Sequence, residues 1–236
     1  PATALHREIA AFGYTGSDVI NWVDANSDTI VAAGHFRNRA YDLPQTDLDD
    51  ESSYVTRGGS GRNGMIYVLD HSGNQQDLLH FESGNPGEIF ATAVGSDGRI
   101  GFIGLFKSGV SLEAAGSDLE ASDEHSGTDN VFVGELAADG SLAWWREVAP
   151  YSNLSVPVVS TPTISSFTYL ENDDLLISGS FAGEIDFGGG DLQGADAFDG
   201  FIVRMSGQDS GNIDRGDVLW QRTFSSTSWG DAINAV

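Results

Sequence analysis

The residues best equipped for chemistry are carboxylates. The chain carries 35 Asp and Glu against 11 Lys and Arg, a formal net charge of -24. Their two densest runs are Asp47-Leu48-Asp49-Asp50-Glu51 and Asp118-Leu119-Glu120-Ala121-Ser122-Asp123-Glu124. Calcium takes about six to eight oxygen ligands, and alternating acids on a loop supply several. Asp47, Asp49, Asp50, Glu51, Asp118, Glu120, Asp123 and Glu124 are therefore candidate calcium ligands, and Ca2+ is the candidate cofactor. Neither run matches an EF-hand loop or the nonapeptide of a calcium β-roll, so a solvated acidic loop is the default reading of both.

Other catalytic chemistry finds less support. The five histidines, His6, His35, His71, His80 and His125, include no pair at metal-ligand spacing on one strand or helix. Cysteine is absent, which removes disulfides, thiolate catalysis and thiolate-bound zinc. No Gly-x-Ser-x-Gly elbow occurs, Lys107-Ser108-Gly109 lacks the rest of a phosphate loop, and no phosphate-binding helix follows Gly58-Gly59-Ser60-Gly61. Paired carboxylates can hydrolyse glycosides, but spacing along the chain places no pair at the separation required. No catalytic residue is assigned. The acidic surface repels phosphate backbones and anionic lipid, which argues against nucleic-acid and membrane partners. No window is long and apolar enough for a transmembrane helix. The opening residues Pro1 to Arg7 do not form a signal peptide and look like the interior of a longer chain.

The elements that must position these side chains recur about every 70 residues. A strand ending Gly-x-Phe appears as Ile30 to Phe36, Ile100 to Phe106 and Leu175 to Phe181, with the phenylalanines 70 and 75 residues apart. Each is preceded by one apolar strand (Asp18 to Val23, Glu88 to Val94, Ile164 to Leu170) and followed by another (Met65 to Leu69, Val131 to Leu136, Phe201 to Met205). A last strand follows a glycine turn, as in Leu142-Ala143-Trp144-Trp145 and Val218-Leu219-Trp220. These strands are named a, b, c and d in chain order. The links between a and b and between c and d are short and rich in turn formers, so the strands are expected to be antiparallel. The b–c links are long, acidic and glycine-rich. The alternation Gly183-Glu184-Ile185-Asp186-Phe187 predicts a short strand inside the third. Helical periodicity is absent. Four-stranded units at this period define an all-β chain of β-propeller blades, about three full blades plus flanking strands. The approximate repeats are 17–85, 86–159 and 160–229, with 1–16 and 230–236 belonging to flanking blades. Small residues in the b strands (Ala33-Gly34, Gly104, Gly179) suggest close approach between blades. Trp144 and Trp220, at matching positions, are expected to pack between blades. Trp229, in the loop Ser226 to Gly230, is expected to contact a neighbouring blade, the alternative being an exposed binding aromatic.

The third unit carries a resemblance. Gly179-Ser180-Phe181-Ala182-Gly183-Glu184-Ile185-Asp186-Phe187-Gly188-Gly189-Gly190, followed by Asp199-Gly200-Phe201-Ile202-Val203-Arg204-Met205 and by Val218-Leu219-Trp220, resembles the bacterial SBBP-type β-propeller repeat. Ala11 to Val19 is similar to the turn leading into the next unit of that repeat. The first two units keep the strands but have longer, more acidic b–c loops. The resemblance implies an extracellular or cell-surface bacterial protein and transfers no catalytic residue. The family's name implies seven blades, so either a longer chain or neighbouring subunits would complete a ring.

The expectation is a non-enzymatic structural or interaction module whose rigid blades display acidic loops to a protein partner or a glycan. Two alternatives stand beside it: a propeller-type polysaccharide hydrolase or lyase, and a calcium-stabilised adhesion module.

Overall fold

The fold follows from alternating apolar positions interrupted by turn residues, and a computed structural model describes it for residues 18–37, 39–41, 54–56, 62–83, 87–106, 110–112, 117–119, 130–150, 163–194 and 198–224. Among the described residues each unit contributes six strands. The first holds β1 (Val19–Ala25), β2 (Thr29–Arg37), β3 (Arg39–Tyr41), β4 (Tyr54–Thr56), β5 (Arg62–Asp70) and β6 (Gln75–Ser83). The second holds β7 (Glu88–Val94), β8 (Ile100–Phe106), β9 (Val110–Leu112), β10 (Ser117–Leu119), β11 (Asn130–Leu136) and β12 (Leu142–Pro150). The third holds β13 (Thr163–Tyr169), β14 (Leu175–Phe181), β15 (Glu184–Asp186), β16 (Leu192–Gln193), β17 (Asp199–Met205) and β18 (Val218–Phe224). The described chain is all-β.

Three antiparallel meanders result, each the a-b-c-d set that the sequence predicts: β1-β2-β5-β6, β7-β8-β11-β12 and β13-β14-β17-β18. These are propeller-type blades. The inner strands lie side by side, β1 against β7 and β7 against β13. The flanking strands predicted in 1–16 and 230–236, and Trp229, lie outside the described residues.

Every inner strand carries a bulge at the same place. The register against the b strand slips between Ile20 and Trp22, between Ile89 and Ala91, and between Ile164 and Ser166. The residues before each slip face Gly34, Gly104 and Gly179. The bulge drives a carbonyl into the b strand. A Cβ on Gly34 would sit 1.8 Å from the Val19 oxygen, on Gly104 2.5 Å from that of Glu88, and on Gly179 1.9 Å from that of Thr163. The repeated glycine is thus demanded by the neighbouring strand of its own blade. The expectation from sequence named contact between blades for these small residues; Ala33 does lie in the core between the first two blades, while the glycine beside it is required within its own blade.

The core lies between the blades. Val31, Ala33, Ile66, Leu79 and Phe81 of the first meet Ile89, Phe102 and Phe132 of the second. Phe81 lies 5.3 Å from Phe102 and 5.9 Å from Phe132 between ring centres, within the range of favourable aromatic pairs. Ala91, Ala93, Ile103, Val131 and Val133 of the second meet Phe167, Ile177, Phe181, Phe201 and Val203 of the third. Trp144 and Trp220 share one register position, opposite Glu135 and Arg204. Trp144 packs beneath Gly216 of the next blade, where a Cβ would stand only 2.7 Å from the indole. Trp144 thus takes the packing role expected of it; Trp220 is 38 % exposed, and the blade that would follow it lies outside the described residues.

Candidate functional site

The b–c excursions do more than link strands. The antiparallel pair β9–β10 adds to the outer edge of the preceding blade, with Phe81 opposite Leu112, Glu82 opposite Ser111 and Ser83 opposite Val110. The pair β15–β16 does the same to β12, with Ala149 opposite Asp186 and Pro150 opposite Ile185. Sheets of six strands result, each made of one blade and the hairpin of the next. The strand predicted around Ile185 is present, but its partner belongs to another repeat. Alternation settles which way the hairpin faces. Ile185, Phe187 and Leu192 are buried in the core between blades, while Glu184 and Asp186 stay partly exposed and Asp191 exposed. Partial burial, then the hydrogen bond with Asp191, pushes the Glu184 carboxyl up. Arg146 of β12 fastens the hairpin, its Nη1 donating to the Phe187 carbonyl at 2.8 Å. Asp186 Oδ1 orders the glycine turn by accepting from the amides of Gly188 (2.6 Å) and Gly190 (3.0 Å).

Of the candidate calcium ligands, Asp118 lies in β10, opposite Ser111 of β9. Asp47, Asp49, Asp50, Glu51, Glu120, Asp123 and Glu124 fall outside the described residues. Among the described residues no group of three or more His, Cys, Asp or Glu is arranged to hold a metal ion.

A buried ionic cluster joins the second and third blades at the opposite end, beside the a–b and c–d turns. Glu135, in β11, is 1 % exposed. Its Oε2 accepts from the Tyr169 hydroxyl at 2.7 Å and its Oε1 from Arg215 Nη1 at 3.2 Å. Burial pushes the Glu135 carboxyl above its ordinary range, opposed by Tyr169, Arg99 and Arg215. Burial, reinforced by Glu135, holds the Tyr169 hydroxyl well above its usual value. Beside them, Arg99 grips Asp97 through Nε at 2.8 Å and donates through Nη1 to the Gly207 carbonyl at 2.6 Å, reaching into the third blade. The hydrogen bond from Arg99 holds Asp97 below the usual carboxylate range. The first two blades are tied at the same end by neutral donors: Asn26 Nδ2 donates to the Gly95 carbonyl (2.6 Å) and the Val94 amide to Asp24 Oδ2 (2.9 Å). This cluster has the hydrogen bonding of a structural latch.

A smaller polar group sits at the b–c end of the inner strands. His35 Nδ1 approaches Glu88 Oε1 at 3.3 Å, an ion-pair distance off the line of a hydrogen bond. Asn21 occupies the first blade's bulge, which turns its amide towards the second blade; Nδ2 donates to Glu88 Oε1 at 2.8 Å and to the Ile89 carbonyl at 3.2 Å. Neither this group nor the Glu135 cluster is among the sequence candidates. Each left a mark: Glu135 breaks the apolar face Val131, Val133, and His35 replaces a small or apolar residue at a position held by Leu105 and Ser180.

A scan against protein-family models and a search of curated proteins each found no match.

Proposed function

We propose that this chain is a non-enzymatic interaction module of a secreted or cell-surface bacterial protein, built from SBBP-type propeller repeats and displaying its acidic b–c excursions to a protein partner or a glycan. One observation carries the reading. The excursions β9–β10 and β15–β16 are hairpins pinned to the blade before them by a β-ladder, and β15–β16 adds a buried apolar row and a guanidinium. Pinning removes conformational freedom before a partner arrives, and preorganised binding surfaces lose less entropy on association. The same alternation that buries Ile185 and Leu192 turns carboxylates outward, which suits a basic or hydroxyl-rich partner.

The test must spare the hairpins, because exchanging them for short turns would strip a strand pair from the blade before. Converting Asp47, Asp49, Asp50, Asp118 and Asp123 to Asn and Glu51, Glu120 and Glu124 to Gln keeps size and removes charge. The parent chain is expected to bind members of a glycan array or lysine-rich peptides, and the neutralised variant to lose that binding. Undiminished binding by the variant would sink the reading. The calcium alternative is separated by a melt in millimolar calcium: a rise in Tm abolished by chelator and by the same neutralisation favours it.

A hydrolase or lyase reading has one observation in its favour, the His35–Glu88 pair at an inner-strand end. Reproducible release of product from a polysaccharide, abolished in Glu88→Gln, would establish it over the binding reading.

A further inference from the structure

Glycine follows a short acid or amide at four places in the chain: Asn63-Gly64, Asp97-Gly98, Asp139-Gly140 and Asp199-Gly200. A glycine amide nitrogen has no side chain beside it, so it can attack the side-chain carbonyl carbon of the residue before. Two of the four are held apart from this reaction by the sheets. Asn63 in β5 and Asp199 in β17 are buried, and their glycines are paired on both sides, Gly64 between His35 and Phe81 and Gly200 between Ser180 and Phe224. The other two occupy the same kind of turn in the second blade. The Gly98 amide donates to the Gly95 carbonyl at 3.1 Å and the Gly140 amide to that of Ala137 at 2.9 Å. Both glycines have positive φ, 87° and 81°. In both turns Oδ1 of the aspartate accepts from the amide two residues on, at 3.2 Å from Arg99 and 3.0 Å from Ser141, which folds the carboxyl over the glycine peptide. The turns differ in what holds that carboxyl. Arg99 Nε reaches both oxygens of Asp97, at 2.8 and 3.0 Å, and the guanidinium is itself buried and anchored on the Gly207 carbonyl. Exposed Asp139 is held from within its own turn, by the Ser141 amide and by its hydroxyl at 2.6 Å.

We propose that Asp139-Gly140 is a site of spontaneous aspartyl isomerisation, and that Arg99 guards the matching dipeptide Asp97-Gly98 from the same reaction. The Gly140 nitrogen bonds to Asp139 Cγ, and the carboxyl hydroxyl leaves with the amide proton as water, closing a succinimide. Water then adds to one of the two ring carbonyls. Where it adds to the α-carbonyl, the bond from that carbon to nitrogen breaks, and the chain runs on through the side-chain carbonyl with a free α-carboxylate. Composition is unchanged, and water is the only co-reactant. The step needs a neutral carboxyl whose carbon can approach the nitrogen. The Arg99 clamp denies both at Asp97, because it supplies a counter-charge and fixes two oxygens. Ser141 also holds Asp139 below its ordinary range, but as a neutral donor fixing one oxygen. The product has one more backbone carbon in the turn that sets the register of β11 against β12. None of this depends on what the acidic excursions bind.

Prolonged incubation of the folded chain, followed by peptide mapping with fragmentation that separates aspartyl from isoaspartyl linkages, reads this directly. The same chain in urea is the reference in which all four dipeptides are free to react. The expected result in the folded chain is isoaspartate at Asp139, none at Asp97 or Asp199, and no deamidation of Asn63. Product should form faster at about pH 5 than at about pH 8, because more of the carboxyl is neutral. Asp139→Glu, which would need a six-membered ring, should abolish it while keeping the charge. Arg99→Gln should add product at Asp97. Unfolding of that variant would also release Asn63 and Asp199, so gain at Asp97 alone marks the loss of the guard. The comparison of Asp139 with Asp97 in the parent chain stands without the variant. No product at Asp139 under conditions where the urea reference forms it overturns the proposal. So does product at Asp97 equal to that at Asp139, or an earlier reaction at Asn63 or Asp199.

Discussion

Replacing the repeated b-strand glycine by alanine tests the bulge directly, because the three units give three different clearances. The added carbon would stand 1.8 Å from a carbonyl oxygen at Gly34, 1.9 Å at Gly179 and 2.5 Å at Gly104. Contacts closer than 3.0 Å are not tolerated, so the inner strand must retreat by 1.2, 1.1 and 0.5 Å respectively. A retreat above 1 Å breaks ladder hydrogen bonds worth about 1 kcal/mol each and adds overpacking of about 1–3 kcal/mol. The expected losses are about 2–4 kcal/mol for Gly34→Ala and Gly179→Ala and about 1–2 kcal/mol for Gly104→Ala. At Gly104 the remaining close atoms are the ends of the Ile89 and Phe132 side chains, at 3.0 and 3.1 Å, and these can shift. Alanine stiffens the unfolded chain and by itself would stabilise by about 0.4–1 kcal/mol, so the sign of the effect is diagnostic. Urea unfolding followed by tryptophan fluorescence gives the totals, and amide exchange shows which blade opens. Gly34→Ala or Gly179→Ala as stable as the parent, or Gly104→Ala the worst of the three, would refute the account of the bulge.

Four further substitutions, at three residues, probe the interfaces between blades. Because burial raises the Glu135 pKa, the folded state holds that proton more tightly than the unfolded chain; the resulting stability is complete below the unfolded pKa and is lost as pH rises through the folded one. Glu135→Gln should remove that fall, so the parent's advantage over the variant shrinks with rising pH in melts across the acid range; parallel profiles would contradict this. Glu135→Ala leaves the Tyr169 hydroxyl and Arg215 without their acceptor and should lose about 3–5 kcal/mol, as broken buried ion pairs do. Asp97 has the opposite sign: its pKa is held down by Arg99, so its contribution is present above the unfolded value of 3.8 and is lost as pH falls, and Asp97→Asn should flatten the acid limb. Phe187→Ala empties a fully buried site 5.3 Å from Phe201 and should destabilise by about 3–5 kcal/mol, with β15–β16 exchanging fastest; a loss under about 1 kcal/mol would mean the hairpin is not part of the core.

The meanders were legible in the sequence because their determinants are local. Ile30 to Phe36 and Leu175 to Phe181 announce strands by apolar content, and Asn26-Ser27-Asp28 or Ala138-Asp139-Gly140-Ser141 announce the turns that make neighbours antiparallel. The strand at Glu184–Asp186 was legible for the same reason. Its partner was not, since pairing with Ala149 and Pro150 depends on how two blades stack, and stacking leaves no periodic trace along the chain. The glycine at Gly34, Gly104 and Gly179 was visible as a pattern while its cause was hidden, because a carbonyl forced inward by a bulge is a property of the register. Glu135 was missed although an acid that ends the apolar face of Val131 and Val133 is a readable irregularity; choosing it among 35 acids needs the burial that only the fold supplies.

The hairpin additions put the unit of folding out of step with the unit of sequence. A repeat read along the chain runs from one inner strand to the next, yet the sheet that repeat begins is finished by residues from the repeat after it. Excising one repeat at its sequence boundaries would therefore remove two strands from its predecessor and leave its own edge unfinished. A gain or loss of units that preserves every sheet has its seam inside the b–c excursion, between hairpin and c strand. Any engineered array made from this chain should be spliced there.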